Sequence, residues 1–167
     1  MKDVPTQLPQ GITTAFIPKR GAWQDVIVTN NSNWESKNYV VATSSLRRAA
    51  QWKHKYPSHT INDIRGNVPT RLKKLSESDF DGTIMAMAGL SRLEMLPENS
   101  VVLDWMIPAP AQGAILVTAL TANQELLSAL NKLNHEETAR CVEEERLFLR
   151  VLDGGCTAPI GAHAQVV

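Results

Sequence analysis

Between residues 39 and 95 the chain changes hydrophobic period three times. Short runs with strand character pass into helical ones: 39–43 into 46–55, 59–64 into 70–76, and 83–88 into 89–95. Connections this short restrict a chain to an α/β fold with a largely parallel sheet, because parallel neighbours need a helical crossover. Around this block, 12–17, 25–29, 101–106 and 113–119 read as strands, and 124–133 and 136–152 as helices. The closing run GAHAQVV (161–167) reads as a further strand. With 167 residues, one or two compact domains can bury a core.

Composition narrows the partner. Lys plus Arg and Asp plus Glu number 17 each, so the formal net charge is zero, which disfavours a general nucleic-acid binder. No apolar run approaches the ~20 residues of a membrane-spanning helix, so no membrane partner is expected. Cys141 and Cys156 make no disulfide framework, and a reduced, cytoplasmic protein is the expectation.

The strand-to-helix junctions carry arginine. TSSLRR (43–48) offers the capping residue types Thr43, Ser44 and Ser45, then places Arg47 and Arg48 in the first helical turn. Cations there oppose the helix dipole by about 0.3–1 kcal/mol each. IRGNVPTRL (64–72) sets Arg65 before a Gly66-Asn67 turn and Arg71 inside the next helix, with Pro69 as a start signal. AGLSRL (88–93) adds Arg92. Guanidinium forks beside unpaired helix-start N–H groups form a receptor for a ligand with several carboxylates or phosphates. No GxxxxGK[ST] is present, which argues against a P-loop.

A second feature is LDGGCTAPIG (152–161), following the charged helix EETARCVEEERLFLRVL. Gly154-Gly155 ends that helix and opens the backbone around Cys156; Pro159 prevents its resumption. On the residues alone, Cys156 reads equally as a structural loop cysteine or an accessible reactive thiol. His54, His59, His135 and His163 form no catalytic motif with it, and no metal-ligand spacing occurs.

Six stretches, MKDVPTQLPQG, TSSLRRAAQ, RGNVPTRLKKL, AGLSRL, PAPAQGAI and EEERLFLRVLDGGCTAPIGA, stand in one order along essentially the whole chain. Together they resemble the porphobilinogen deaminase (hydroxymethylbilane synthase) family, with PAPAQGAI similar to the form in Bacteroidetes-type members. The resemblance implies a transferase of tetrapyrrole (haem) biosynthesis. It joins four porphobilinogen molecules head to tail into hydroxymethylbilane and releases ammonia at each addition. It further implies a dipyrromethane cofactor held by a thioether to Cys156, and Asp3 as the catalytic carboxylate that stabilises the azafulvene cation. Lys2 would bind cofactor carboxylate. Arg47, Arg48, Arg65, Arg71 and Arg92 would bind acetate and propionate groups. Thr43, Ser44, Ser45, Gly66 and Asn67 would add hydroxyl and backbone donors, and Gln112 corresponds to the glutamine of the interdomain loop.

The implied fold has periplasmic-binding-protein-like α/β domains with mixed, mainly parallel sheets, followed by a small α+β third domain. Residues 1–23 and 108–133 would form part of domain 1, 24–107 domain 2, and 134–167 the start of domain 3. The family extends beyond both ends of this sequence. The expectation is therefore a chain truncated at the N-terminus and in the third domain, weak or inactive alone, from a monomeric family but with exposed edges that leave room for association. One departure is Gln24, where the family has arginine ahead of Asp25. The competing class is a non-catalytic carboxylate-binding module of the same fold, which leaves Gly-Gly-Cys without a role.

Overall fold

The computed structural model describes residues 1–31, 33, 38–152 and 158–167. In chain order the elements are β1 (Ile12–Phe16), β2 (Asp25–Thr29), β3 (Val40–Ala42), α1 (Leu46–Lys55), β4 (Thr60–Asn62), α2 (Val68–Ser76), β5 (Gly82–Ala86), α3 (Met87–Arg92), β6 (Ser100–Val102), β7 (Val117–Leu120), α4 (Gln124–Asn131) and α5 (Glu136–Val151). The fold is mixed α/β, in two compact units. One unit comprises Met1–Trp23 and Pro108–Val167, the other Gln24–Ile107.

The 24–107 unit holds a five-stranded sheet in the order β4-β3-β5-β2-β6. β3 pairs parallel with β4 and β5, while β2 pairs antiparallel with β5 and β6. Among these strands, therefore, β2 alone runs against the rest, and this reversed strand makes the sheet mixed. Every residue of β2 is buried, because both faces of the sheet are covered. On one face Ile27, Tyr39, Val41, Trp52, Ile84, Leu103 and Met106 cluster; on the other, Val26 and Val28 pack with Leu75, Met85 and Leu90. The alternation of Val26, Ile27 and Val28 between the two cores is the two-residue period of a strand. Buried His59 accepts a hydrogen bond from Trp52 Nε1 at 3.2 Å, which gives it a packing role.

In the other unit β1 pairs antiparallel with β7. Ile17, Ala111, Ala114 and Val142 form its buried cluster, so the core joins the end of β1, the 108–114 loop and α5.

Two expected strands differ. Residues 161–167 form no strand. Their N–H groups are satisfied otherwise: Ala162 donates to Pro108 O at 3.0 Å and Ala164 to a Glu145 carboxylate oxygen at 2.8 Å. Of 101–106, only the start is strand. The chain then turns at Leu103–Met106 and buries both of those side chains in the sheet's core.

Candidate functional site

β3, β4 and β5 run in one direction, so their carboxyl ends share one edge of the sheet. In α/β folds that edge is where ligands bind. Thr43, Ser44, Ser45, Arg47 and Arg48 follow β3 there, and Arg65, Gly66, Asn67 and Arg71 follow β4. The two turns are tied together: Thr43 N–H donates to Asn62 O at 2.8 Å, and Ser44 Oγ to Ile64 O at 2.5 Å. Ser45 caps α1 through its contact with Arg48 N–H at 3.4 Å. Asn67 caps α2, its Oδ1 accepting Thr70 N–H at 3.0 Å. Gly66 sits at φ +129°, a region that side chains rarely enter.

Because β2 is reversed, its first residue reaches the same edge, with Asp25 opposite Ala86. There the Asp25 carboxylate bridges the two arginines of α1. One oxygen accepts Arg47 Nη2 and the other Arg48 Nη2, both at 2.7 Å. All three side chains are buried. Arg47 Nη1 also donates to Ile107 O at 2.5 Å, and Arg48 Nη1 to Ile84 O at 3.0 Å. Arg48 Nε is buried with no hydrogen-bond partner among the described residues. Burial alone would raise the Asp25 carboxyl, but the charges and hydrogen bonds of Arg48 and Arg47 hold it below its ordinary value. Burial pulls Arg47 down, opposed by Asp25. Arg71 is lowered by burial and by the charge of Arg48, against the opposing charge of Asp63, so all three groups lie within electrostatic reach. Arg71 Nε donates to Gly66 O at 2.8 Å, whereas exposed Arg65 pairs with exposed Asp63 at 3.0 Å.

Arg92 corrects the junction reading. α3 begins at Met87, whose N–H is fixed by Gln24 O at 3.1 Å, so Arg92 lies in its last turn rather than at a strand-to-helix turn. It is exposed.

The remaining predicted residues lie in the other unit. Asp3 is exposed in a tight turn closed by Val4 N–H to Met1 O at 2.9 Å. Lys2 Nζ stands 3.5 Å from Gln112 Oε1. Gln112 is buried, with Nε2 donating to Trp23 O at 2.7 Å. Arg20 Nε donates to Gln112 O at 2.8 Å, and the Arg20 fork pairs with both oxygens of buried Glu145 at 2.7 and 3.0 Å. Cys156, with residues 153–157, lies outside the described residues.

Sequence reading missed Asp25, Arg20 and Glu145. Asp25 carried a signal, an acid heading the apolar run DVIVT. Glu145 carried one too. Thr138, Val142 and Leu149 mark the buried stripe of α5 at helical spacing, and Glu145 falls on that stripe.

The family model described as "Porphobilinogen deaminase, dipyromethane cofactor binding domain" matches residues 1–128, and the one for the porphobilinogen deaminase C-terminal domain matches 139–167. The chain is 41% identical over 172 residues to porphobilinogen deaminase of Listeria monocytogenes, covering 98% of this chain and 56% of the relative. It is 44% identical over 170 residues to the chloroplastic porphobilinogen deaminase of Oryza sativa subsp. japonica, covering 99% of this chain and 48% of the relative. The chain thus spans about half the length of the curated relatives it matches. Among solved structures, substrate binding domain 2 of GlnP from Lactococcus lactis resembles it at a TM-score of 0.46 and 10% identity, over 85% of this chain and 58% of that one. No helix among the described residues is long and apolar enough to cross a membrane. By its family-model matches and its identity to named relatives over nearly its whole length, the chain belongs to the porphobilinogen deaminase family.

Proposed function

We propose that this chain carries the substrate- and cofactor-binding machinery of a cytoplasmic hydroxymethylbilane synthase built on periplasmic-binding-protein-like domains. In that reading residues 134–167 begin a third domain. The observation that carries the proposal is the cationic edge of the 24–107 sheet. Four guanidiniums, of Arg47, Arg48, Arg65 and Arg71, face two carboxylates there, Asp25 and Asp63, so positive charge is left over. This chemistry fits a dipyrromethane or porphobilinogen unit, each pyrrole bearing two carboxylates.

Arg47, Arg48, Arg65, Arg71 and Arg92 would bind these acetate and propionate groups, with Thr43, Ser44, Ser45, Gly66 and Asn67 shaping the turns that present them. Lys2 would bind a further carboxylate, and Gln112 would set the Lys2 ammonium through the contact described above. Asp3 would accept pyrrole N–H and stabilise positive charge as ammonia leaves the substrate, in the manner of a preorganised anion. Cys156 would hold the dipyrromethane cofactor as a thioether. When bound, that cofactor supplies the primer to which porphobilinogen adds, so each addition is effectively intramolecular.

Intact-mass spectrometry with peptide mapping tests the reading. A dipyrromethane-sized addition at Cys156, present on purification or after incubation with porphobilinogen, is expected. A protein unmodified under both conditions favours the alternative, a carboxylate-binding module without chemistry.

A further inference from the structure

The last helix, α5, grips two different loops of its own unit through two consecutive side chains. Glu145 is 2% exposed. Its Oε2 accepts the N–H of Ala111 at 2.6 Å, beside the paired guanidinium of Arg20, which in turn holds Gln112 O. Arg146, next along α5, turns to the opening segment: Nη1 donates to Val4 O at 3.1 Å and Nη2 to Pro5 O at 2.5 Å. One dipeptide therefore fixes both the turn that carries Lys2 and Asp3 and the loop that carries Gln112.

The loop needs such an anchor. Ala111 sits at φ +61° and Gly113 at φ +82°. A non-glycine residue in the left-handed region is strained and persists only where its surroundings hold it. The Glu145 carboxylate on Ala111 N–H supplies part of that hold, beside Arg20 on Gln112 O and Gly21 N–H on Gly113 O. Two contacts from the Arg146 fork add to the hold on a turn that Val4 N–H to Met1 O closes and that the Met1 ammonium ties to Ala114 O at 2.8 Å. The helix runs directly into the Gly-Gly-Cys segment.

We infer that Glu145 and Arg146 form a two-residue latch, positioning residues that set the Asp3 turn and the Gln112 loop on one helix. The chemical role rests on the function proposed above; the latch itself rests on the contacts just given.

The test uses the 167-residue chain with Arg146→Gln, Arg146→Lys and Glu145→Gln, and Glu144→Gln as an exposed control on α5. Nitrogen-15 relaxation reads the turn through the amides of Lys2, Asp3 and Val4; hydrogen exchange reads the loop through those of Ala111, Gln112 and Ala114. Arg146→Gln is expected to loosen the turn and leave the loop, and Arg146→Lys to restore part of the order. Glu145→Gln is expected to speed exchange in the loop by about tenfold, and Glu144→Gln to change neither. Unchanged loops, or uniform loosening of the whole unit, overturn the latch.

The rate of porphobilinogen addition at Cys156 reads the chemical role by intact mass. A misplacement of about 1 Å costs up to a hundredfold, so Arg146→Gln should lower the maximal rate at least about tenfold while half-saturation stays within about twofold. A loosened turn with an unchanged rate overturns the positioning role. Failure of the unsubstituted chain to add porphobilinogen counts against the proposed function, while the amide readouts still decide the latch.

Discussion

Replacing Asp25 by asparagine keeps the shape of the side chain and removes the carboxylate that Arg47 and Arg48 share. Both guanidinium contacts are 2.7 Å, and the carboxylate is fully buried. The amide can still accept from one arginine, but its NH2 then faces the donors of the other. Two charge-assisted hydrogen bonds contribute about 1.5–3 kcal/mol each. Breaking a buried ion pair by removing one partner costs about 3–5 kcal/mol, because a charge stays buried without compensation. The two routes agree on a loss of about 3–5 kcal/mol, a large part of the 5–15 kcal/mol that holds a typical domain. Urea unfolding followed by circular dichroism measures it. A loss below about 1 kcal/mol at pH 7 would refute the claim that Asp25 compensates the two cations. Replacing all three together, Asp25→Leu with Arg47→Met and Arg48→Met, is expected to recover much of the loss, since the penalty is one of unpaired charge and not of lost volume. The folded-state pKa of Asp25 lies below its ordinary value of 3.8. Its contribution is therefore complete above pH 3.8 and is lost as pH falls through the lower, folded value. Asp25→Asn should abolish that part of the acid transition.

Gly113→Ala is expected to destabilise by at least about 1 kcal/mol in the same unfolding assay. Its φ is +82°, and an added Cβ would stand 2.6 Å from Ala22 O. His163, whose ring stacks on Trp23 at 4.0 Å, has its pKa lowered from 6.5 by burial and then by Arg20, against the pull of Glu145. The unfolded chain then binds the proton more tightly, so stability should decline as pH drops from 6.5 until the folded form is protonated too; His163→Phe, which keeps an aromatic ring against Trp23, should flatten thermal melts across that window. Arg65→Ala, at a side chain 83% exposed, should leave stability within about 0.5 kcal/mol but slow porphobilinogen addition at Cys156, which separates a ligand arginine from a structural one.

Local pattern made the unit of Gln24–Ile107 legible. Helix α1 falls where the pattern placed it, at Leu46–Lys55, because Ser45 supplies a cap. Helices α2 and α3 begin two residues earlier than their expected starts, at Val68 and Met87, where Asn67 caps α2 and Gln24 O fixes Met87 N–H. The short strand expected at 113–119 shrank to Val117–Leu120, since the segment before it is held in turns anchored by Glu145, about thirty residues away in sequence. A residue pattern carries period and capping; it does not carry which distant group will satisfy an N–H.

The same limit explains the two arginines at the start of α1. Read locally, they break the dipole rule, and the break pointed to a ligand. The structure supplies a nearer cause in Asp25, which reaches them only because β2 runs against its neighbours and so delivers its first residue to their carboxyl edge. Strand direction is a property of the sheet and leaves no mark on DVIVT itself. Yet the compensation is incomplete: Asp25 and Asp63 are two carboxylates against the four guanidiniums of Arg47, Arg48, Arg65 and Arg71. A purely structural ion cluster would gain by closing that balance, as buried charges cost least when fully paired. An edge that keeps a residual positive charge is better suited to meet an acidic ligand than to stabilise itself. On this account Asp25 holds Arg47 and Arg48 in place, while the charge it leaves unanswered is what remains for carboxylates to bind.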